Sequence, residues 1–322
     1  KKVNKKEIFK KKFFKFANSL IKIFLPFMFK IFIKLKVNRR VINYLQEKSY
    51  FSNERYNFSE KLNYLLKNEK LIALDVGAQG GFNSDNFFPT RYNSFFDCIM
   101  VEPIKSEAEK IKNAKYIITK ALWSKKERKK FFILDKRLGS SSMFKPDREK
   151  FDLHDIKKKE FENYDVTRTI ELECDTLENS LKSLNIKNLD YLKIDTQGAE
   201  LEILKGIGEY RPFLIKIEVH IFSMYKNTPN WHELVNLLYN FNYVLIDWKG
   251  IGKHKSRIAS EMDMLFIPNF NNVEGQKVIR DNIKKIMSLL LIFGQINILK
   301  LIMKRLKIDS KNIDEIEDLY FN

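Results

Sequence analysis

Five titratable side chains stand at the ends of apolar runs, where a sheet would bring them together. Asp75 follows Leu71 to Leu74, Glu102 follows Cys98 to Val101, and Asp195 follows Tyr191 to Ile194, while Glu218 and His220 end the run that starts at Phe213. Glu102 comes 21 positions after Gly81, the spacing at which an acidic side chain accepts hydrogen bonds from both ribose hydroxyls of a nucleotide cofactor. Alternation along a strand puts Lys216, Glu218 and His220 on one face. His220, with an ordinary pKa of about 6.5, suits a general base that takes the proton of an attacking hydroxyl. Asp195 is the alternative base, or a holder of a substrate hydroxyl or a divalent cation, although no Cys/His metal cluster is present. Glu218 and Tyr225 are the expected substrate contacts. Tyr225, Trp231 and Trp248 can stack on a sugar or an adenine, or simply pack at strand and helix ends. His154, His232 and His254 read as surface residues, Ser140, Ser141 and Ser142 as ordinary turn chemistry, and Glu200 as a helix cap or ion-pair partner.

The element that must position the cofactor is a strand, a glycine turn and a helix. Leu71 to Leu74 fits a buried parallel strand, and Gly77, Gly80 and Gly81 allow the backbone to turn against a ligand. Asp75, Gly77, Gln79, Gly81 and Glu102 are the expected cofactor residues. The turn reads G-A-Q-G-G rather than the G-x-G-x-x-G that seats a pyrophosphate on a helix N-terminus. A turn without that spacing suits S-adenosylmethionine, whose amino-acid end carries no phosphate.

Seven runs read as sheet strands alternating with helices: Leu71 to Leu74, Cys98 to Val101, Tyr116 to Ile118, Tyr191 to Ile194, Phe213 to Val219, Tyr243 to Ile246 and Met264 to Ile267. This is an α/β pattern, a doubly wound, mostly parallel seven-stranded sheet. Lys130 to Leu134 and Arg168 to Cys174 read as an inserted hairpin, and the polar stretch Lys145 to Tyr164 between them as a mobile loop near the acceptor. Helices are expected over Gln276 to Phe293 and Ile296 to Leu306.

The order of Asp75-Val-Gly-Ala, Val101-Glu-Pro, Ala121-Leu-Trp-Ser, Gly139-Ser-Ser-Ser, Thr176-Leu-Glu and Tyr191-Leu-Lys-Ile-Asp-Thr-Gln-Gly-Ala-Glu200 resembles the FkbM family of S-adenosylmethionine-dependent O-methyltransferases. Ile217-Glu-Val and Asp263-Met-Leu-Phe continue the pattern over roughly residues 69 to 268. Gln79 stands where the family usually has Asn, Gln197 where it often has Glu, and Glu178 where it usually has Asp. The resemblance implies a class I, Rossmann-like methyltransferase fold with an antiparallel last strand. It also implies S-adenosylmethionine as cofactor and a hydroxyl acceptor on a glycan precursor, since the family often works on glycans and polyketides. The basic N-terminal arm fits a lipid-linked saccharide precursor. The competing readings are a nicotinamide-dependent oxidoreductase, a non-catalytic, membrane-associated relative and a nucleic-acid methyltransferase.

The formal net charge is +18, and residues 1–40 hold 12 Lys and 2 Arg against one Glu, a net +13. Concentrating basic charge in an appendage rather than around a cleft disfavours nucleic acid as the acceptor. The longest uncharged runs there, 16–21 and 23–29, are too short to span a bilayer. Lysines on about half of a helix circumference, with Phe, Ile, Leu and Met on the rest, fit an in-plane anchor on anionic lipid or an arm packed on the domain, with a kink at Pro26. A signal peptide is not expected, and two cysteines 76 positions apart fit a reducing cytoplasm, with attachment to the inner face of the membrane and homo-oligomerisation as further expectations. The expected division is a basic helical region over 1–68, the catalytic domain over 69–269 and a helical extension over 270–322.

Overall fold

In a computed structural model of the chain, residues 58–81, 87–154, 156–250 and 260–308 are described. The basic arm and His254 lie outside them. Residues Ser59–Ile302 form one compact unit, and a second comprises 1–58 and 303–322. The helices flanking the expected catalytic domain, α1 (Ser59–Leu66) on one side and α6 (Val273–Asp281) with α7 (Ile283–Ile292) on the other, thus belong to the same body as its sheet.

That sheet has seven strands: β1 (Leu71–Val76), β2 (Phe96–Val101), β3 (Tyr116–Ile118), β7 (Tyr191–Ile194), β8 (Leu214–His220), β9 (Tyr243–Gly250) and β10 (Glu261–Pro268). Their order is β3-β2-β1-β7-β8-β10-β9. All neighbours are parallel except β10, which runs antiparallel to both β8 and β9. This is the mostly parallel α/β plan expected from the alternating runs, with each strand near its expected place. The chain leaves β1 towards β2 on one side and later returns as β7 on the other, so a switch point lies at the carboxyl end of β1. Ligands of open α/β sheets bind at such a point.

Strand alternation gives the sheet two unlike faces. Leu74, Val76, Leu192, Ile194, Ile215 and Ile217 lie in the main hydrophobic core, which α5 (Trp231–Asn240) helps close with Leu234 and Leu238. The other face is apolar only in its lower half. There α7, whose residues Ile286 to Ile292 are all buried, covers the sheet, and its neighbour Phe293 meets Tyr191 at a ring-centroid distance of 4.9 Å. Towards the carboxyl ends the same face carries Asp75, Lys193, Lys216 and Glu218, registered across adjacent strands as Asp75↔Lys193↔Lys216.

A second, three-stranded sheet is built from β4 (Ala121–Leu122), β5 (Glu127–Ile133) and β6 (Arg168–Asp175), with β5 antiparallel and β4 parallel to β6. The expected hairpin is the β5–β6 pair. The polar stretch between its strands differs from expectation: 3₁₀ turns at Arg148–His154 and Lys158–Tyr164 fix it, and Phe151 and Tyr164 bury themselves with Leu134, Met224 and Tyr225 in a small separate core. Lysine density concealed those two aromatic anchors. The helix expected over Gln276 to Phe293 is instead α6 and α7 broken at Asn282, whose φ of −124° is not helical. Helix α8 (Ile296–Leu306) follows as expected. Among the described residues no helix is long and apolar enough to cross a membrane.

Candidate active site

A cleft with about 650 Å³ of empty space, its open mouth included, lies at the switch point. Its floor comes from the ends of β1, β2 and β7 as Gly77, Glu102 and Asp195, and its cover comes from the second sheet and the turn after it, as Phe131, Gly139 and Met143. Gly77 has φ +87°, and a Cβ there would lie 1.9 Å from the carbonyl oxygen of Asp195. Only glycine fits that turn.

Glu102 is 4% exposed. Its Oε1 accepts the backbone N–H of Ile104 at 2.8 Å, and no ion pair reaches it among the described residues. Burial pushes this carboxyl up to about 7, with Glu107 and Asp75 adding to the rise and the Ile104 bond opposing it. A desolvated carboxylate without a cation, facing a cleft, gains when hydroxyl donors reach it.

Asp75 differs. It is buried, does not line the cleft, and pairs with Lys193 Nζ at 3.0 Å. Lys193 Nζ also lies 3.5 Å from Asp195 Oδ2. Burial works against the ammonium, but the two carboxylates outweigh it and hold Lys193 above its ordinary value. Burial likewise raises Asp75, and Lys193 offsets only part of that.

Asp195 belongs to a hydrogen-bonded set of which it and Gln197 line the cleft, with Glu218, Tyr225, Ser140 and Ser142 behind them. Gln197 Nε2 donates to Asp195 Oδ1 and to Glu218 Oε1, both at 3.0 Å. The Tyr225 hydroxyl lies 2.8 Å from the Ser140 carbonyl and 3.0 Å from Gln197 Oε1, and Ser142 Oγ donates to the Gln197 carbonyl at 2.8 Å. Burial, followed by Asp195, Glu261 and Asp263, pushes Glu218 up to about 9. Glu200 accepts from Thr196 N, Thr196 Oγ1 and Gly198 N and so closes the turn that precedes its helix, rather than capping the helix or pairing with a cation.

His220 lies elsewhere. Its side chain is 5% exposed, its Nε2 is 3.5 Å from Glu261 Oε1, and it lines a smaller pocket on the far side of the Asp195–Glu200 turn. His154, expected on the surface, is buried against the same carboxylate, with Nδ1 3.3 Å from Glu261 Oε1 and Nε2 2.7 Å from the Phe222 carbonyl. Both contacts to Glu261 are within ion-pair reach but not aligned as hydrogen bonds. The two imidazoles hold Glu261 well below the usual carboxylate range in spite of its burial. Among the described residues no group of three or more His, Cys, Asp or Glu side chains is arranged for a metal ion.

Of the residues read from sequence, Gly77, Gln79, Glu102 and Asp195 line the cleft. Asp75 supports it from beneath, and Gly81 packs on Ile111 instead. Tyr225 is fully buried with its hydroxyl engaged, which leaves it no surface for a substrate. His232 is exposed, as expected. Sequence reading missed Lys193 and Gln197, the two residues that hold Asp195; both stand inside the K-I-D-x-x-G-A-E element, and that proximity was the available signal.

The Methyltransferase FkbM domain matches residues 75–245, more than half of the chain. The chain belongs to this family of methyltransferases, and S-adenosylmethionine is the methyl donor that membership implies. The residues present fit it: a buried, cation-free carboxylate at Glu102 faces an open cleft with largely apolar walls at the switch point. No curated protein sequence matches the chain. Among solved structures, it is similar to a putative DNA modification methyltransferase encoded within a prophage (E.coli), at 9% identity and a TM-score of 0.33, over 62% of this chain and 47% of that one. It is also similar to the methyltransferase domain of bacterial CtHen1-C, at 10% identity and a TM-score of 0.29, over 68% and 99%. For the small RNA methyltransferase HEN1 the values are 10% and 0.31, over 65% of this chain and 24% of that one. The chain therefore spans about half the length of the first of these.

Proposed function

We propose that the methyl acceptor is a hydroxyl of a glycan or a lipid-linked saccharide precursor and that Asp195 takes its proton. The observation that carries this reading is the position of Asp195, partly exposed in the same cleft wall as Glu102. Bound S-adenosylmethionine supplies a methyl group already activated by its sulfonium, open to in-line displacement. What remains for the protein is to hold the ribose at Glu102, exclude water with the Phe131 and Met143 cover, and receive the proton that a weakly acidic sugar hydroxyl must lose. Glu218 beside Asp195 suits neighbouring hydroxyls of the same sugar. A phosphate in that place would meet two carboxyl groups, which supports a neutral acceptor over nucleic acid. The dinucleotide oxidoreductase reading is set aside by the family.

Mass spectrometry of surface glycans from a deletion strain should show a loss of about 14 mass units per site, one methylene's worth. Unchanged glycans would point to another acceptor or to a non-catalytic relative. Asp195→Asn should lower transfer by roughly 100-fold, whereas His220→Ala, whose ring sits at Glu261, should leave it close to wild type. The reverse order would return the base to His220.

The arm over residues 1–40 supports attachment to an anionic membrane, because each Lys or Arg near such a surface contributes on the order of 1 kcal/mol. A chain starting at Val41 should bind cofactor and no longer co-sediment with anionic vesicles. Retained co-sedimentation would remove the arm from that role.

A further inference from the structure

The acceptor side of the cleft hangs on one amide. Gln197 follows β7 with φ +60°, a left-handed backbone that costs a non-glycine residue about 1 kcal/mol or more and persists where surroundings fix it. Here they do. Its carbonyl takes the Ser142 hydroxyl at 2.8 Å, its Oε1 faces the Tyr225 hydroxyl at 3.0 Å, and its Nε2 stands 3.0 Å from a carboxylate oxygen of each of Asp195 and Glu218. With the carbonyl end facing a phenol, both amide protons are available to the two carboxylates.

Two carboxyl groups near enough to share one NH₂ repel unless a donor stands between them or one keeps its proton. The amide supplies the donor and cannot itself titrate, so it does not compete for the acceptor's proton. Asp195 is steadied on its other side by Lys193 at 3.5 Å, while Glu218 faces Asp195, Glu261 and Asp263 and has the rise in its pKa opposed by Gln197. From this geometry we propose that Gln197 is the positioning residue of the acceptor side: its amide holds Asp195 in place as proton acceptor and Glu218 beside it as the partner of a second acceptor hydroxyl. The assignment rests on the reading of Asp195 as the base.

Gln197→Met keeps the length and removes the amide, and Gln197→Glu keeps the shape and adds a third carboxylate. Carboxyl-carbon NMR titration of Glu218 in the full chain needs no acceptor, and methyl transfer is read in parallel on glycans from the deletion strain. Loss of the amide bond to the ionised form should raise the Glu218 midpoint by about half a unit or more in Gln197→Met, and the added charge should raise it further in Gln197→Glu. Transfer should fall about tenfold or more in kcat, with KM for S-adenosylmethionine changed far less. Tyr225→Phe releases only the carbonyl end of the amide and should show the same shift at smaller size, which covers the case in which a Gln197 variant does not fold. An unmoved Glu218 midpoint in the variants that fold, or unchanged kcat, overturns the assignment of Gln197. A moved midpoint together with full turnover in Asp195→Asn overturns the base reading instead.

Discussion

Two buried carboxyl groups stand at the ends of adjacent strands and differ in their partners and in whether they line the cleft. Asp75 has Lys193 at 3.0 Å, and Glu102 has a single backbone N–H at 2.8 Å. Both are raised by burial, Glu102 to about 7. A paired buried carboxylate contributes to the fold chiefly by being costly to unpair, whereas an unpaired one facing a cleft costs stability that a ligand's donors can recover. The sheet thus places a paired, buried charge and an unpaired one that lines the cleft within one strand spacing.

The sharpest way to break this contrast is Lys193→Met, which removes the ion-pair partner of buried Asp75 and should lower unfolding stability by about 3–5 kcal/mol. Denaturant midpoints would check it, and adding Asp75→Asn should recover much of the loss. A full-stability single variant would mean that Asp75 is no more structural than Glu102. Next in size, Glu102→Ala should weaken binding of the demethylated cofactor by about 1–3 kcal/mol in calorimetry, with stability unchanged or higher. The smallest effect is in pH. A carboxyl raised to about 7 when folded favours the folded state below its unfolded pKa, and that contribution is lost as pH rises through about 7. Cofactor hydroxyls favour the ionised form, so affinity should rise up to about tenfold from pH 6 to 8 and stay flat in Glu102→Gln. A flat wild-type profile would place Glu102 with the ordinary carboxylates.

The sheet was legible because apolar runs bounded by glycine and charge report buried parallel strands directly. Glu102 was legible for a related reason, since its place depends only on strand, turn and spacing. The contacts of Gln197 were not: they need β7, β8 and the Ser140–Ser142 turn in one place, and no periodicity reports that. Alternation correctly put Glu218 and His220 on one face, yet it could not tell that β10 would bring Glu261 opposite His220 and occupy it. His154 misled similarly, because its burial follows from Phe151 anchoring a lysine-rich stretch. Tyr225 was found but misassigned, its hydroxyl being spent on Ser140 and Gln197.

The contact between Gly77 and the Asp195 carbonyl also bears on how this enzyme can diverge. With 1.9 Å between that oxygen and any Cβ at residue 77, the glycine turn on the cleft floor and the backbone that carries Asp195 are mechanically one part. A substitution at 77 would push both at once. Change of acceptor is therefore confined to side chains exchanged on a fixed frame, and the segments free to supply them are the turns that cover the cleft from the second sheet.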